Sequence, residues 1–144
     1  CTFSNGRTYD LITCFETIEH VPDYRSALKN LFALLRPGGT LLISSPNRPI
    51  TPPKARSISD KPSNEFHVQE FLPNELFAAL REAGFSVSPR DLYGQRQRPD
   101  YRTWVTRKLA RLFLGNPDKV TSAAVTPVTT LVPRYFIAVA TKAG

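Results

Sequence analysis

Two short apolar runs that do not alternate in polarity most constrain the fold of this chain. The first, YDLITC, spans residues 9–14, and the second, TLLISS, spans residues 40–45. Such runs are typical of strands buried on both faces, as in a parallel sheet covered by helices. Between them, apolar residues recur at helical spacing from Tyr24 to Leu35, with Asp23 as the N-cap. The pattern predicts a βαβ unit with a right-handed crossover.

Further elements follow this unit along the chain. The motif RPGG at residues 36–39 is predicted to end the first helix. The pattern predicts a second helix at Glu75–Ala83 closed by Gly84, a strand at Phe85–Val87 that continues towards Tyr93, and a last strand at Tyr135–Thr141. Residues 46–66 contain five prolines and are predicted to form a long loop of the functional kind.

Composition and chain ends narrow the class of protein. The chain has 144 residues, of which 41% are hydrophobic and 22% charged, as expected for one soluble domain. We find no apolar run long enough to span a membrane and no signal-peptide pattern at the start, which predicts a cytoplasmic protein. Because the chain begins with Cys1 and contains no methionine, we interpret residues 1–144 as a single partial domain of a longer protein.

One segment, residues 95–120, carries most of the net charge of +7. Its seven basic residues against two acids suggest a local contact with an anionic partner, and nucleic acid is disfavoured because the rest of the chain is nearly neutral. Within it, residues 101–113 fit an amphipathic helix. That helix is predicted either to pack on the sheet or a second subunit, or to lie on an anionic membrane surface.

The ends of the two predicted parallel strands are the natural place for a site, since ligands bind beyond the carboxyl ends of such strands. Glu16, Glu19 and His20 follow the first strand, and Asn47 and Arg48 follow the second. The alternatives are that the acids are solvated loop residues and that His20 packs or caps. No catalytic Ser-His-Asp order, phosphate-binding loop or glycine-rich dinucleotide motif is present, and the Cys and His spacing predicts no metal site.

Several motifs together carry a family resemblance. They are E-x-x-E-H at 16–20, L-R-P-G-G at 35–39, S-x-P-N at 44–47 and the stretch EFHVQEFLPNELFAALREAGFSV at 65–87. In this combination and order, the chain from residue 9 to about 93 resembles the C-terminal half of class I S-adenosylmethionine-dependent methyltransferases. The resemblance implies a Rossmann-like α/β fold with strand order 3-2-1-4-5-7-6, mostly parallel with an antiparallel last strand. Residues 9–14 and 40–45 would be its fourth and fifth strands.

The resemblance also implies roles for individual residues, with S-adenosylmethionine as cofactor. The implied cofactor-binding residues are Cys14, Phe15 and Glu16, the implied catalytic residues are Glu19 and His20, and the candidate substrate-binding residues are Asn47, Arg48 and His67. His20 would act as general base or as a positioning group. Asn47 could instead satisfy loop backbone, and His67 could belong to a surface turn.

The family's glycine-rich loop and ribose-binding acid are absent and would precede Cys1. We therefore expect this chain to be the C-terminal part of an enzyme that methylates a small-molecule, lipid or glycan acceptor, and to be inactive alone. Without the preceding strands, the strand at residues 9–14 would be an exposed edge that favours self-association. The rival interpretation is a non-catalytic interaction module that acts through the basic helix on a membrane surface or nucleic acid.

Overall fold

A five-stranded sheet with two helices organises the chain in its computed structural model. The structure describes residues 6–51, 54–95, 98–99, 124–128 and 131–144. Its elements are β1 (Tyr9–Cys14), α1 (Tyr24–Leu34), β2 (Leu35–Pro46), α2 (Pro73–Glu82), β3 (Leu92–Gln95), β4 (Arg98–Pro99), β5 (Thr126–Pro127), β6 (Leu131–Val132) and β7 (Tyr135–Thr141), with short 3₁₀ helices at Ile18–His20 and Pro89–Asp91. The five-stranded sheet has the order β1-β2-β7-β3-β5, and β4 pairs with β6.

Strand direction agrees with the predicted fold. β1 and β2 are parallel, β7 runs antiparallel to β2, and β3 runs antiparallel to β7. β1, β2 and β3 therefore point the same way, and β7, the last strand of the chain, opposes them. This is the succession that the resemblance implies for strands four, five, seven and six, so the Rossmann-like fold class is confirmed.

The predicted βαβ unit is present with shifted boundaries. The Asp23 carboxylate caps α1 by accepting a hydrogen bond from the Ser26 backbone N–H at 3.0 Å. The helix ends at Leu34, and β2 begins at Leu35, so the RPGG motif lies in the first part of β2 instead of in a helix stop. Gly38 has a φ of +77°, a backbone conformation that favours glycine, and the pairing of β1 with β2 shifts register nearby.

The second helix also follows the prediction closely. α2 begins two residues earlier than predicted, at Pro73, because the Glu75 carboxylate accepts from the Leu72 backbone N–H at 2.8 Å and caps the first turn. Gly84 closes the helix with a φ of +105°, and a Cβ there would lie 2.9 Å from the Phe32 ring. Glycine is therefore required both for conformation and for the close approach of α1.

The prediction of a strand at Phe85–Val87 is wrong in extent. Only Ser86 pairs there, through an isolated bridge to Thr141, and the strand proper is Leu92–Gln95. Phe85 and Val87 are nevertheless buried, which explains why their pattern resembles a strand.

The core lies where the helices cover the sheet. Its fully buried members include Leu28 of α1, Leu41 and Ile43 of β2, Leu80 of α2 and Phe136 of β7. Most of the predicted basic segment 95–120, including the predicted helix at 101–113, lies outside the described residues. Within the described part of the chain, no helix is both long and apolar enough to cross a bilayer.

Candidate active site

A strained turn directly after β1 places the first candidate side chains. Glu16 has a φ of +46°, which is uncommon for a residue other than glycine and tends to occur at functional sites. Ser44 at the end of β2 holds this turn. Its Oγ accepts from the Glu16 backbone N–H at 2.9 Å and donates to Glu16 Oε1 at 2.8 Å. The carboxyl ends of β1 and β2 therefore meet through this pair.

Glu19 is the buried acid of the site. Its side chain is 0% exposed, and neither carboxylate oxygen has a hydrogen-bond partner among the described residues. Burial raises the pKa of the Glu19 carboxyl above its ordinary value. The residue's own backbone N–H opposes this shift, the charge of Glu16 adds to it, and the two histidines oppose it. The Glu19 main chain is firmly held, because its carbonyl accepts from the backbone N–H of Val68 at 2.8 Å.

The two histidines of the chain meet beside Glu19. The His20 and His67 rings pack edge to face with centroids 4.8 Å apart. One ligand-capable atom from each of Glu19, His20 and His67 can be chosen so that all lie within 4.8 Å of one another. We call these three residues the Glu19/His20/His67 cluster.

Hydrogen bonds fix the tautomer of both rings. A carbonyl can only accept, so His20 Nδ1–H donates to the Phe66 carbonyl at 2.7 Å. In His67, Nδ1–H donates to Glu70 Oε1 at 2.6 Å. Asn64 Oδ1 accepts from the Phe66 N–H, which turns its amide nitrogen towards His67 Nε2 at 2.9 Å. When neutral, both rings therefore carry their lone pair on Nε2.

Two adjoining openings reach this region. The first has a volume of about 400 Å³ and is lined by Phe15, Glu16, Ser44, Gln95, Val125, Tyr135 and Ile137. The second has about 370 Å³ and is lined by Glu16, Pro46, Thr51, Ser63, Asn64, His67, Glu70, Arg134 and Tyr135. Glu16 and Tyr135 line both openings, so the two spaces meet at the end of β1.

Neither opening is lined by the predicted site residues Cys14, Glu19, His20, Asn47 and Arg48. Cys14 packs half-buried against the core, where burial followed by the charge of Glu19 raises the pKa of its thiol. Asn47 donates to the Pro133 carbonyl at 2.8 Å, as in the loop-backbone alternative. Arg48 donates to the Glu70 carbonyl at 2.9 Å and to Glu75 Oε1 at 2.6 Å. Asn47 and Arg48 are each 2% exposed and line neither opening.

Sequence reasoning missed two residues that position the site. Glu70, 1% exposed, binds His67 and also accepts from the Thr51 hydroxyl. Gln69 donates from Nε2 to the carbonyls of Ile18 and Val21, each at 2.9 Å, and so attaches its segment to the turn that carries Glu19. The available signal was the group of three polar residues, His67, Gln69 and Glu70, directly before an amphipathic helix. Polar side chains are buried only where they are hydrogen-bonded.

Comparison with known proteins agrees with the fold and the motifs. Residues 2–89 match the family model described as a methyltransferase domain. The ubiquinone biosynthesis O-methyltransferase of Xanthomonas campestris is 32% identical over 130 residues, covering 83% of this chain and 50% of that protein. The chain thus spans half or less of the length of the first curated relatives that it matches.

Solved structures show the same fold. A Thermotoga maritima S-adenosylmethionine-dependent methyltransferase, a possible histamine N-methyltransferase, matches with a TM-score of 0.62 at 17% identity, covering 94% of this chain and 57% of that one. The 1,6-didemethyltoxoflavin-N1-methyltransferase of Burkholderia thailandensis, solved with 1,6-didemethyltoxoflavin and S-adenosylhomocysteine, matches with a TM-score of 0.55 at 20% identity, covering 99% and 47%. On its family-model match, its motifs and its strand order, this chain belongs to the class I S-adenosylmethionine-dependent methyltransferase family.

Proposed function

We propose that this chain supplies the methionine end of the donor site and the acceptor site of an S-adenosylmethionine-dependent methyltransferase that acts on a hydroxyl of a small molecule. The observation that carries the proposal is the meeting of two openings at Glu16, one partly apolar and one lined mainly by polar groups. A donor in the first and an acceptor in the second would face each other there, and aligning the two reactants is the main task in methyl transfer.

The first opening suits the methionine end of the cofactor. S-adenosylmethionine, when bound, supplies an electrophilic methyl group on a positively charged sulfonium. The Glu16 carboxylate offers the opposite charge to the sulfonium or the ammonium group, and the half-exposed Phe15 ring offers an apolar face. Phe15 and Glu16 therefore remain our cofactor-binding residues, and we place Cys14 in the supporting core.

The second opening suits a small polar acceptor. Its volume of about 370 Å³ lies in the range of small-ligand sites and is small for a glycan chain or a lipid tail. A hydroxyl must lose its proton on methylation. His67 lines this opening and can receive the proton on Nε2 once the exposed Asn64 amide turns away. The O-methyltransferase relatives support a hydroxyl acceptor over an amine.

We also propose that the protein is located in the cytoplasm and that residues 95–120 contact a membrane surface.

Ligand titration of the ¹⁵N-labelled chain by NMR tests the donor site. S-adenosylhomocysteine contains the methionine end and adenosine lacks it. We expect S-adenosylhomocysteine to bind weakly and shift the amide signals of Phe15 and Glu16, and adenosine at the same concentration to leave them unmoved. Binding should be weak because the resemblance assigns the adenosine contacts to a glycine-rich loop and a ribose-binding acid that residues 1–144 do not contain.

Glu16→Gln is the informative variant, since it removes the charge and keeps an oxygen that can accept from Ser44. It should lose the response to S-adenosylhomocysteine, whereas Glu65→Gln, an exposed acid outside both openings, should keep it. Equal shifts with adenosine, or no shifts with either ligand, would contradict the assignment of the methionine end. Low-micromolar binding would instead contradict the expectation that most cofactor contacts lie elsewhere.

A further inference from the structure

We propose that Glu19, His20 and His67 form a binding site for a divalent transition-metal ion of the zinc type. Their spacing along the sequence gave no sign of such a site, because His67 comes from a separate segment that the fold brings to Glu19 and His20. In the structure, one carboxylate and two imidazole ligand atoms lie within 4.8 Å of one another. Two histidines and one carboxylate form a ligand set used by metalloenzymes.

The Nδ1 hydrogen bonds of both histidines suit metal ligation. A metal-ligating histidine typically donates its other ring N–H to a carbonyl or carboxylate, which fixes the tautomer and orients the ring. Here Nδ1–H of His20 donates to the Phe66 carbonyl, and Nδ1–H of His67 donates to Glu70. This leaves the Nε2 lone pair of His20 for a ligand, whereas that of His67 accepts from the exposed Asn64 amide. Glu70 in turn accepts a hydrogen bond from the Thr51 hydroxyl, so the hydrogen-bonded chain behind His67 extends to Thr51.

The burial of the Glu19 carboxylate without a hydrogen-bond partner is a second and independent observation. It is completely buried, and neither oxygen has a partner in the described part of the chain. A buried carboxylate without a partner is costly, whereas buried charges in proteins are normally paired or coordinate a metal. Its place in the cluster beside the two rings makes an ion the natural partner.

Closing the site needs only small side-chain movements. In a tetrahedral zinc site the ligand atoms lie about 3.4 Å apart, so no pair of atoms has to approach by more than about 1.4 Å. His20 is exposed and can make this movement. Asn64, which donates to His67 Nε2, is also exposed and can give way. Two imidazole ligands favour zinc, cobalt or iron(II) over Mg²⁺ or Ca²⁺, which prefer oxygen ligands.

An ion here would assist the proposed methyl transfer, so its chemical role rests on the proposed function. With three protein ligands, a fourth position stays open for water or for the acceptor hydroxyl, and coordination makes such a hydroxyl more acidic. A hydroxyl held there would pass its proton to solvent water beside the exposed His20, and neither histidine would have to accept it. Metal binding itself requires neither donor nor acceptor, so it can be tested separately from methyl transfer.

The test is a titration of the metal-free purified chain with Co²⁺, followed by its visible ligand-field absorption, and then displacement by Zn²⁺. We expect one ion per chain. His20→Ala, Glu19→Gln and His67→Gln should each weaken Co²⁺ binding by at least about 10-fold, and Glu70→Gln by about 10-fold to 100-fold through the orientation of His67. His20→Ala is the safest variant for folding because its side chain is exposed.

Glu65→Gln is the matched control, since it removes an exposed acid from the same segment and should leave Co²⁺ affinity unchanged. Circular dichroism establishes that each variant is folded. The proposal is overturned if the folded chain binds no Co²⁺, if His20→Ala binds it as tightly as the unchanged chain, or if Mg²⁺ displaces it at equal concentration. Failure of S-adenosylhomocysteine binding would leave these outcomes unaffected, so the two proposals fail separately.

Discussion

Arg48 shows how a residue can be important to the site without touching a ligand. Its guanidinium is buried, donates to Glu75 at the start of α2 and donates to the carbonyl of Glu70, the residue that holds His67. The sequence motif favoured a substrate contact at this position because Arg48 follows a parallel strand. The fold instead uses its charge to join the end of β2 to α2.

We expect Arg48→Ala to lower the free energy of unfolding by about 3 kcal/mol, because it leaves the partly buried Glu75 carboxylate without its charged partner. Urea denaturation measures the change. Arg36→Ala is the control, since the Arg36 and Asp10 side chains are 54% and 80% exposed and should contribute less than about 1 kcal/mol. Equal losses in the two variants would show that Arg48 has no special structural role.

The first helix illustrates how an element is set by a few local signals. Asp23 begins α1, and the buried face of the helix carries Leu28. Hydrogen bonds from Ser26 lower the pKa of the Asp23 carboxyl below its ordinary value of 3.8. Because this pKa is lower in the folded state, ionised Asp23 stabilises the fold above pH 3.8, and that contribution is lost as the pH falls through the lowered pKa.

Asp23→Ala should therefore lower the urea midpoint at pH 7, and the difference from the unchanged chain should shrink as the pH falls below 3.8. Asp23→Asn is the matched control because it keeps an oxygen that can accept from Ser26 and does not titrate. Its advantage over the alanine variant should stay constant with pH. An alanine effect of the same size at pH 7 and pH 3 would contradict the ionic contribution.

Elements set by local patterns were predictable from the sequence, and elements set by distant partners were not. The apolar runs and helical spacing located β1, α1, β2, α2 and β7. The true beginning of β3 at Leu92 depends on pairing with β7, which lies far along the chain. The RPGG motif suggested a helix stop, yet the pairing of Tyr9 with Leu35 extends β2 back to the end of the helix.

The site residues show the same difference between positions set by local sequence and positions set by distant contacts. Glu16, Glu19 and His20 follow a recognisable strand, so the sequence placed them at its carboxyl end. The meeting of His67 with Glu19 depends on the Gln69 side chain and on backbone bonds that cross between two segments. Such contacts have no periodic signature along the chain. The inward direction of the Asn47 and Arg48 side chains was likewise set by partners that follow them in sequence.

At the scale of the whole molecule, β1 is the exposed margin of the sheet. It is the first strand in the sheet order and pairs with β2 alone among the described strands. Leu11 and Phe15 at this margin are 55% and 48% exposed. An apolar edge strand recruits partners, such as a second copy of the chain.

We expect the isolated chain to associate as its concentration rises, and Leu11→Lys to suppress this, because a lysine on an edge strand opposes strand pairing. Multi-angle light scattering over a concentration series measures the mass. Ala78→Lys, on the exposed side of α2, adds the same charge away from the edge and should leave association intact. A chain that stays monomeric throughout, or equal suppression by both lysines, would argue against the edge as the contact.

The two ends of the segment between Arg48 and Phe71 are hydrogen-bonded to each other, and this has a consequence for how its length can change in evolution. Asn47 bridges to Phe71, and Arg48 N–H donates to the Phe71 carbonyl at 3.2 Å, so the two ends are already held together. Once the two ends of a loop are held together in this way, doubling the length of the loop costs only about 0.6 kcal/mol in closure entropy. Insertions and deletions in the part of this segment that precedes Ser63 can therefore reshape the second opening over evolution, while Glu16 and Glu19, which lie outside the segment, keep their places.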